Sequence, residues 1–152
     1  MWLYFRGQSL PNNVLPSDPP GKINMFSIGE KNKVLAVNDV FHPKNSSEKP
    51  VSVVNDPVTK TTSALLVKTD QYETLAFSGT DGRSFLISIL TDKVEEARGA
   101  AEEELLRRLG VSREIACGLP IRVVVSKLFY EELGLNGGED IKLGFCPGSK
   151  HF

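Results

Sequence analysis

Apolar and polar positions alternate with two periods along this chain, and the change from one to the other outlines its architecture. Lys22–Ile28 and Lys33–Val37 are short apolar-rich runs around a polar Gly29–Asn32 turn, and both read as strands. Asn38–Lys49 is polar and reads as a loop. Val51–Val54 is a short strand ended by Asp56-Pro57. The stronger signals follow: Ala64–Lys68, Tyr72–Phe77 and Ser84–Leu90, with Asp81-Gly82 as a hairpin turn before the last, because glycine tolerates the positive φ such turns need. Phe85, Ile87 and Ile89 alternate with Leu86, Ser88 and Leu90, so both faces of this strand are largely apolar. That pattern predicts a central strand covered on one side by a helix.

The period then changes to helical. Val94, Ala97, Ala101, Leu105 and Leu109 form one face of a helix over about 92–109, and Gly110 ends it. Asp92 is placed to cap its first amides, with Glu95 three residues on. Glu103 with Arg107, and Glu104 with Arg108, stand at i,i+4 on the outer face. Gly99 inside the helix implies close packing there or simple tolerance. Ser112 opens a short second helix, Arg113–Cys117. Pro120–Ser126 is a strand, Phe129–Leu133 a helical turn, Asn136-Gly137-Gly138 a turn, and Ile141–Cys146 a final strand. The expected fold class is therefore α+β, a mostly antiparallel sheet with one long helix and a short second helix packed on one face.

Length and charge narrow the function. With 152 residues the chain has the size of one domain. Its 18 basic and 19 acidic residues give a net charge of −1, which argues against nucleic acid as a partner. No apolar run of about 18 residues is present. Residues 7–20 hold Pro11, Pro16, Pro19 and Pro20 among polar residues and read as an extended linker. Met1-Trp2-Leu3-Tyr4-Phe5-Arg6 before it reads either as a frayed apolar terminus or as the outer end of a membrane anchor, with aromatic residues at headgroup level and a cation beyond. The expected organisation is a disordered stalk over 1–20, one domain over 21–148 and a tail over 149–152.

Candidate chemistry is sparse. Cys117 and Cys146 are the two cysteines. They are either two buried free thiols or a disulfide, worth about 3.5 kcal/mol in the chain-entropy model for a loop of this length. A Pro-rich stalk behind an apolar end favours the disulfide, and with it an oxidising compartment. His42 and His151 do not form a metal set with two isolated cysteines, and His151 is poorly placed to act as the base for a cysteine nucleophile. Glu102-Glu103-Glu104 reads as a solvated helix face. Gly79–Gly82 and Gly134–Gly138 read as turns, since a phosphate cradle needs a helix N-terminus after the glycines. Asn45-Ser46-Ser47 fits the glycosylation acceptor pattern, one that recurs often by chance. The expectation is no catalytic, cofactor-binding or metal-ligating residue, and no enzyme.

One resemblance adds to this reading. It rests on Tyr72–Leu75, Phe85–Leu90, Glu95–Arg98, Ala101–Leu106, Leu109–Glu114, Ala116-Cys117, Val123–Val125 and Leu143–Cys146, in that order. From Leu65 to Cys146, a little over half its length, the chain resembles a group of small uncharacterised envelope proteins of reduced-genome, candidate-phylum bacteria. The resemblance implies one N-terminal membrane anchor, both cysteines, and a place in pilus or envelope assembly with a protein partner there. It supplies no catalytic residues. The chain departs from the group in two ways: the anchor is missing or reduced to Met1–Phe5, and Asp92-Lys93 stands where a proline is expected before the long helix. The leading expectation is a non-enzymatic extracytoplasmic domain, tethered to the membrane, that serves as accessory or scaffold of an envelope structure. The alternative is a cytoplasmic small-ligand-binding or regulatory module.

Overall fold

The computed structural model describes residues 22–28, 33–135 and 141–152. The expected stalk and anchor over 1–20, the 29–32 turn and the Asn136-Gly137-Gly138 turn lie outside the described residues. Strands β1 (Lys22–Ile28) and β2 (Lys33–Asn38) pair antiparallel as a two-stranded sheet. β3 (Ser52–Asp56), β4 (Thr61–Lys68), β5 (Tyr72–Gly79), β6 (Gly82–Ile89) and β7 (Ile121–Val125) form a five-stranded sheet in that order. All its pairings are antiparallel except β6–β7. The protein is thus α+β, with a mostly antiparallel sheet.

The β5–β6 hairpin closes at the pair Gly79↔Gly82, and Gly82 takes a φ of 105° that a side chain would resist. β6 is an interior strand, as its two apolar faces imply. Parallel pairing with β7 needs a crossover, because the chain must return to the end where β6 began. Helices α1 (Val94–Leu109) and α2 (Arg113–Ala116) lie within that crossover. Tyr130–Leu133 forms α3, a single turn.

The core lies between α1 and one face of the sheet. Val94, Ala97, Ala101, Leu105 and Leu109 are all buried with Ala64, Leu66, Ala76, Phe85, Ile87, Ile89, Val123 and Val125. Each large apolar side chain in such a layer contributes about 1.5–3 kcal/mol through burial. The alanines keep the helix side thin, so the backbone of α1 can approach β5 and β6 closely.

Three local expectations are corrected. First, α1 begins at Val94 after Lys93, which makes no side-chain cap. Asp92 gives only its carbonyl, to the Val94 N–H at 2.8 Å, while its carboxylate accepts from Thr91. Second, Glu103 pairs with Arg113 rather than Arg107, and Arg107 bridges Glu104 and Glu48. Third, Ile141–Cys146 is not a strand. Ile141 makes one antiparallel bridge with Val123, and the chain then folds back through Cys146 N–H to Leu143 C=O at 3.0 Å. Ile141 and Leu143 are buried as the alternation suggests, but the Gly144 N–H is taken by a side chain instead of a ladder partner.

Candidate functional site

The sequence offers two cysteines, and the structure joins them. Cys117, the C-cap of α2, and Cys146 form a disulfide with Cα atoms 5.7 Å apart, inside the range a disulfide spans without backbone movement. α2 is one turn long and cannot hold its shape alone. Its N-terminus is fixed by Ser112, whose Oγ accepts the Ile115 N–H, and its C-terminus by the bond to Cys146. A disulfide suggests an oxidising, extracytoplasmic environment.

Around this bond, residues 143–152 are clasped to α1. The Gly144 N–H donates to Glu102 Oε1 at 2.6 Å. Arg98, 1% exposed, donates to the Lys150 carbonyl at 2.8 Å and to Glu95 at 2.7 Å, and its Nε stands 3.8 Å from Glu102. The Phe152 N–H donates to Glu95 Oε1 at 2.7 Å, and the Phe152 ring lies 5.7 Å from the Arg98 guanidinium carbon. On the α2 side Arg113 pairs with Glu103 and stacks over the Phe145 ring at 5.3 Å. Two helices and the C-terminal segment are thus tied by one covalent bond and a chain of charged contacts.

The electrostatics follow from this packing. Burial pushes the Glu102 carboxyl above the usual carboxylate range, and the Gly144 N–H and Arg98 offset only part of that. The hydrogen bond to Glu103 raises Arg113. A shallow depression of about 350 Å³ runs over the clasp, with Glu95, Arg98, Glu102, Arg113, Phe145 and His151 in its wall. Its charged groups are engaged with one another, an arrangement that holds chain segments together.

A second polar cluster sits at the far end of α1. Asp39, buried, accepts the Phe41 N–H at 3.0 Å and lies 3.2 Å from His42 Nδ1 and 3.5 Å from Arg83. Burial lowers the Arg83 pKa, and its guanidinium stacks on Phe41 at 5.0 Å. Asn38 Nδ2 donates to the Arg108 carbonyl and so caps the end of α1, while Arg108 reaches the Glu48 carbonyl at 2.6 Å. A small cavity of about 140 Å³ lies between these groups. An Asp–His pair is two-thirds of a nucleophilic triad. Among the described residues, however, no hydroxyl or thiol hydrogen-bonds His42.

Of the residues weighed from sequence, Cys117 and Cys146 come together. His42 and His151 lie in separate clusters, each beside a carboxylate, with His151 Nδ1 3.6 Å from Glu95. Among the described residues no three His, Cys, Asp or Glu side chains gather as a metal-ligating set, and no helix is long and apolar enough to cross a membrane. Arg98, Glu102 and Asp39 carry the two clusters, and sequence reasoning missed all three. The one available signal was the i,i+4 spacing of Arg98 and Glu102 beside the apolar stripe. Comparison with family models, curated proteins and solved structures finds no match to this chain.

Proposed function

We propose that this chain is a non-enzymatic domain working outside the cytoplasmic membrane, as an accessory or scaffold of a bacterial envelope structure such as a pilus assembly. The Cys117–Cys146 bond carries the reading. Reducing cytosols keep structural thiols apart, whereas envelope and secreted domains use such bonds. The clasp supports a scaffold role: its carboxylates and guanidinium groups are spent on fixing residues 143–152 to α1. The apolar Met1–Phe5 followed by the Pro-rich 7–20 segment fits tethering to the membrane through a stalk.

Protease accessibility in the native host tests the location. Cells are converted to spheroplasts and exposed to protease, with a cytoplasmic protein as control. The expected result is loss of this protein while the control survives. Protection until the inner membrane is lysed would move the protein to the cytoplasm and favour a small-ligand-binding or regulatory module.

A further inference from the structure

The five-stranded sheet has a second apolar face. An antiparallel sheet with one face on the core normally turns polar residues outward. Here Leu65, Leu75 and Leu86 stand opposite one another across β4, β5 and β6, in a row of leucines on the side away from α1. Phe77, beside that row, stands opposite Ser63 and Ser84, and Val124 stands opposite Ser88. Val54 on β3 extends the surface and is 59% exposed. The alternating neighbours of these residues, Ala64, Ala76, Phe85, Ile87 and Val123, are the ones buried under α1. The outward set is half-buried or exposed and lies outside the core cluster and the apolar residues packed on it.

We propose that this outer face is the interface of a homodimer, with a second copy packing the same face against it about a two-fold axis. Two features select a second copy as the occupant. The first is area. Five strands about 4.8 Å apart and five to eight residues long give a face of roughly 550 Å². Two such faces bury about 1,100 Å², just above the roughly 1,000 Å² a specific interface needs. The second is shape. A two-fold interface must be complementary to itself, and this face alternates large residues with small ones. Phe77 rises between two serines, so its counterpart on the partner has hollows to enter. Charges sit at the rim, where Lys68 pairs with Glu73 at 3.1 Å and Arg122 stands beyond Leu86.

Sedimentation equilibrium on the full chain, across a wide range of concentration, tests the proposal. The expected species has twice the 16.7 kDa chain mass. Leu75→Glu places two like charges at the centre of the interface and should weaken self-association at least tenfold, with circular dichroism confirming the fold. Should that variant not fold, Phe77→Ser and Leu86→Ser, which only remove apolar surface, should each weaken it too. A native chain that sediments as a monomer throughout overturns the proposal, and so does a dimer unmoved by the foldable variants. A monomer that binds a hydrophobic dye would leave the face for another protein; one that does not would have it covered by its own chain. Either result rejects the homodimer.

Discussion

Gly144 lies so close to Arg98 that a β-carbon on it would stand 3.1 Å from both Nε and Nη2 of the guanidinium. The same residue donates its N–H to Glu102, one helical turn from Arg98. This glycine therefore lets the C-terminal segment reach two buried charges at once. Gly144→Ala should push the guanidinium off its partners and destabilise the fold by about 1–3 kcal/mol, the usual cost of overpacking. Urea titration would show it as a lower midpoint; an unchanged midpoint would mean that the segment shifts freely.

Glu102 gives the clasp a pH dependence of definite sign. Its folded pKa is raised by burial, so the folded state holds the proton more tightly than the unfolded state does. The stability this group contributes is present below the usual glutamate pKa and is lost as pH rises from there through the raised folded value. Glu102→Gln keeps an acceptor for the Gly144 N–H and removes the titration. Thermal melts across mildly acidic pH should show a flatter profile for the variant, and parallel profiles would refute the assignment.

The Thr74 hydroxyl, on a side chain 1% exposed between α1 and the sheet, finds no hydrogen-bond partner among the described residues. Burying it unpaired costs about 1–3 kcal/mol. Thr74→Val keeps the shape and removes that cost, so the variant should melt higher. A lower melting temperature would reveal a partner for the hydroxyl.

Gly99 inside α1 and Gly110 at its C-cap should respond in opposite directions. Gly99 faces open space, and Gly99→Ala should stabilise by about 0.5–1 kcal/mol by restricting the unfolded chain. Gly110 has a φ of 68°, and a β-carbon there would meet Asn38 Nδ2 at 2.8 Å. Gly110→Ala should destabilise by more than the other gains. Denaturant midpoints of the two variants on either side of the native value would confirm both roles.

The layers of the fold were legible because they depend on local period. The stripe Val94, Ala97, Ala101, Leu105, Leu109 is buried throughout, and the two-faced β6 is interior. The clasp was not legible. Arg98 and Glu102 look like solvated helix residues, and their partners lie 52 and 42 positions away at Lys150 and Gly144. Alternation at Ile141, Leu143 and Phe145 also fits any extended segment laid on a core. What separates a strand from such a segment is where the backbone N–H goes, and Gly144 gives its own to a carboxylate. Likewise, periodicity cannot show that β7 returns parallel to β6, since that depends on how the crossover packs.

The Cys117–Cys146 bond is the point on which the account turns, and its state in the cell can be measured directly. Protein taken from its native compartment under acid quench is alkylated without reductant, digested and analysed by mass spectrometry. The account predicts a cross-linked peptide pair and no alkylated cysteine. Reduction, or Cys117→Ser, should then lower the melting temperature, since a closed loop of this length contributes about 3.5 kcal/mol in the chain-entropy model. Full alkylation of both cysteines in the freshly quenched protein would contradict the account and remove the physical ground for placing this domain outside the cytoplasm.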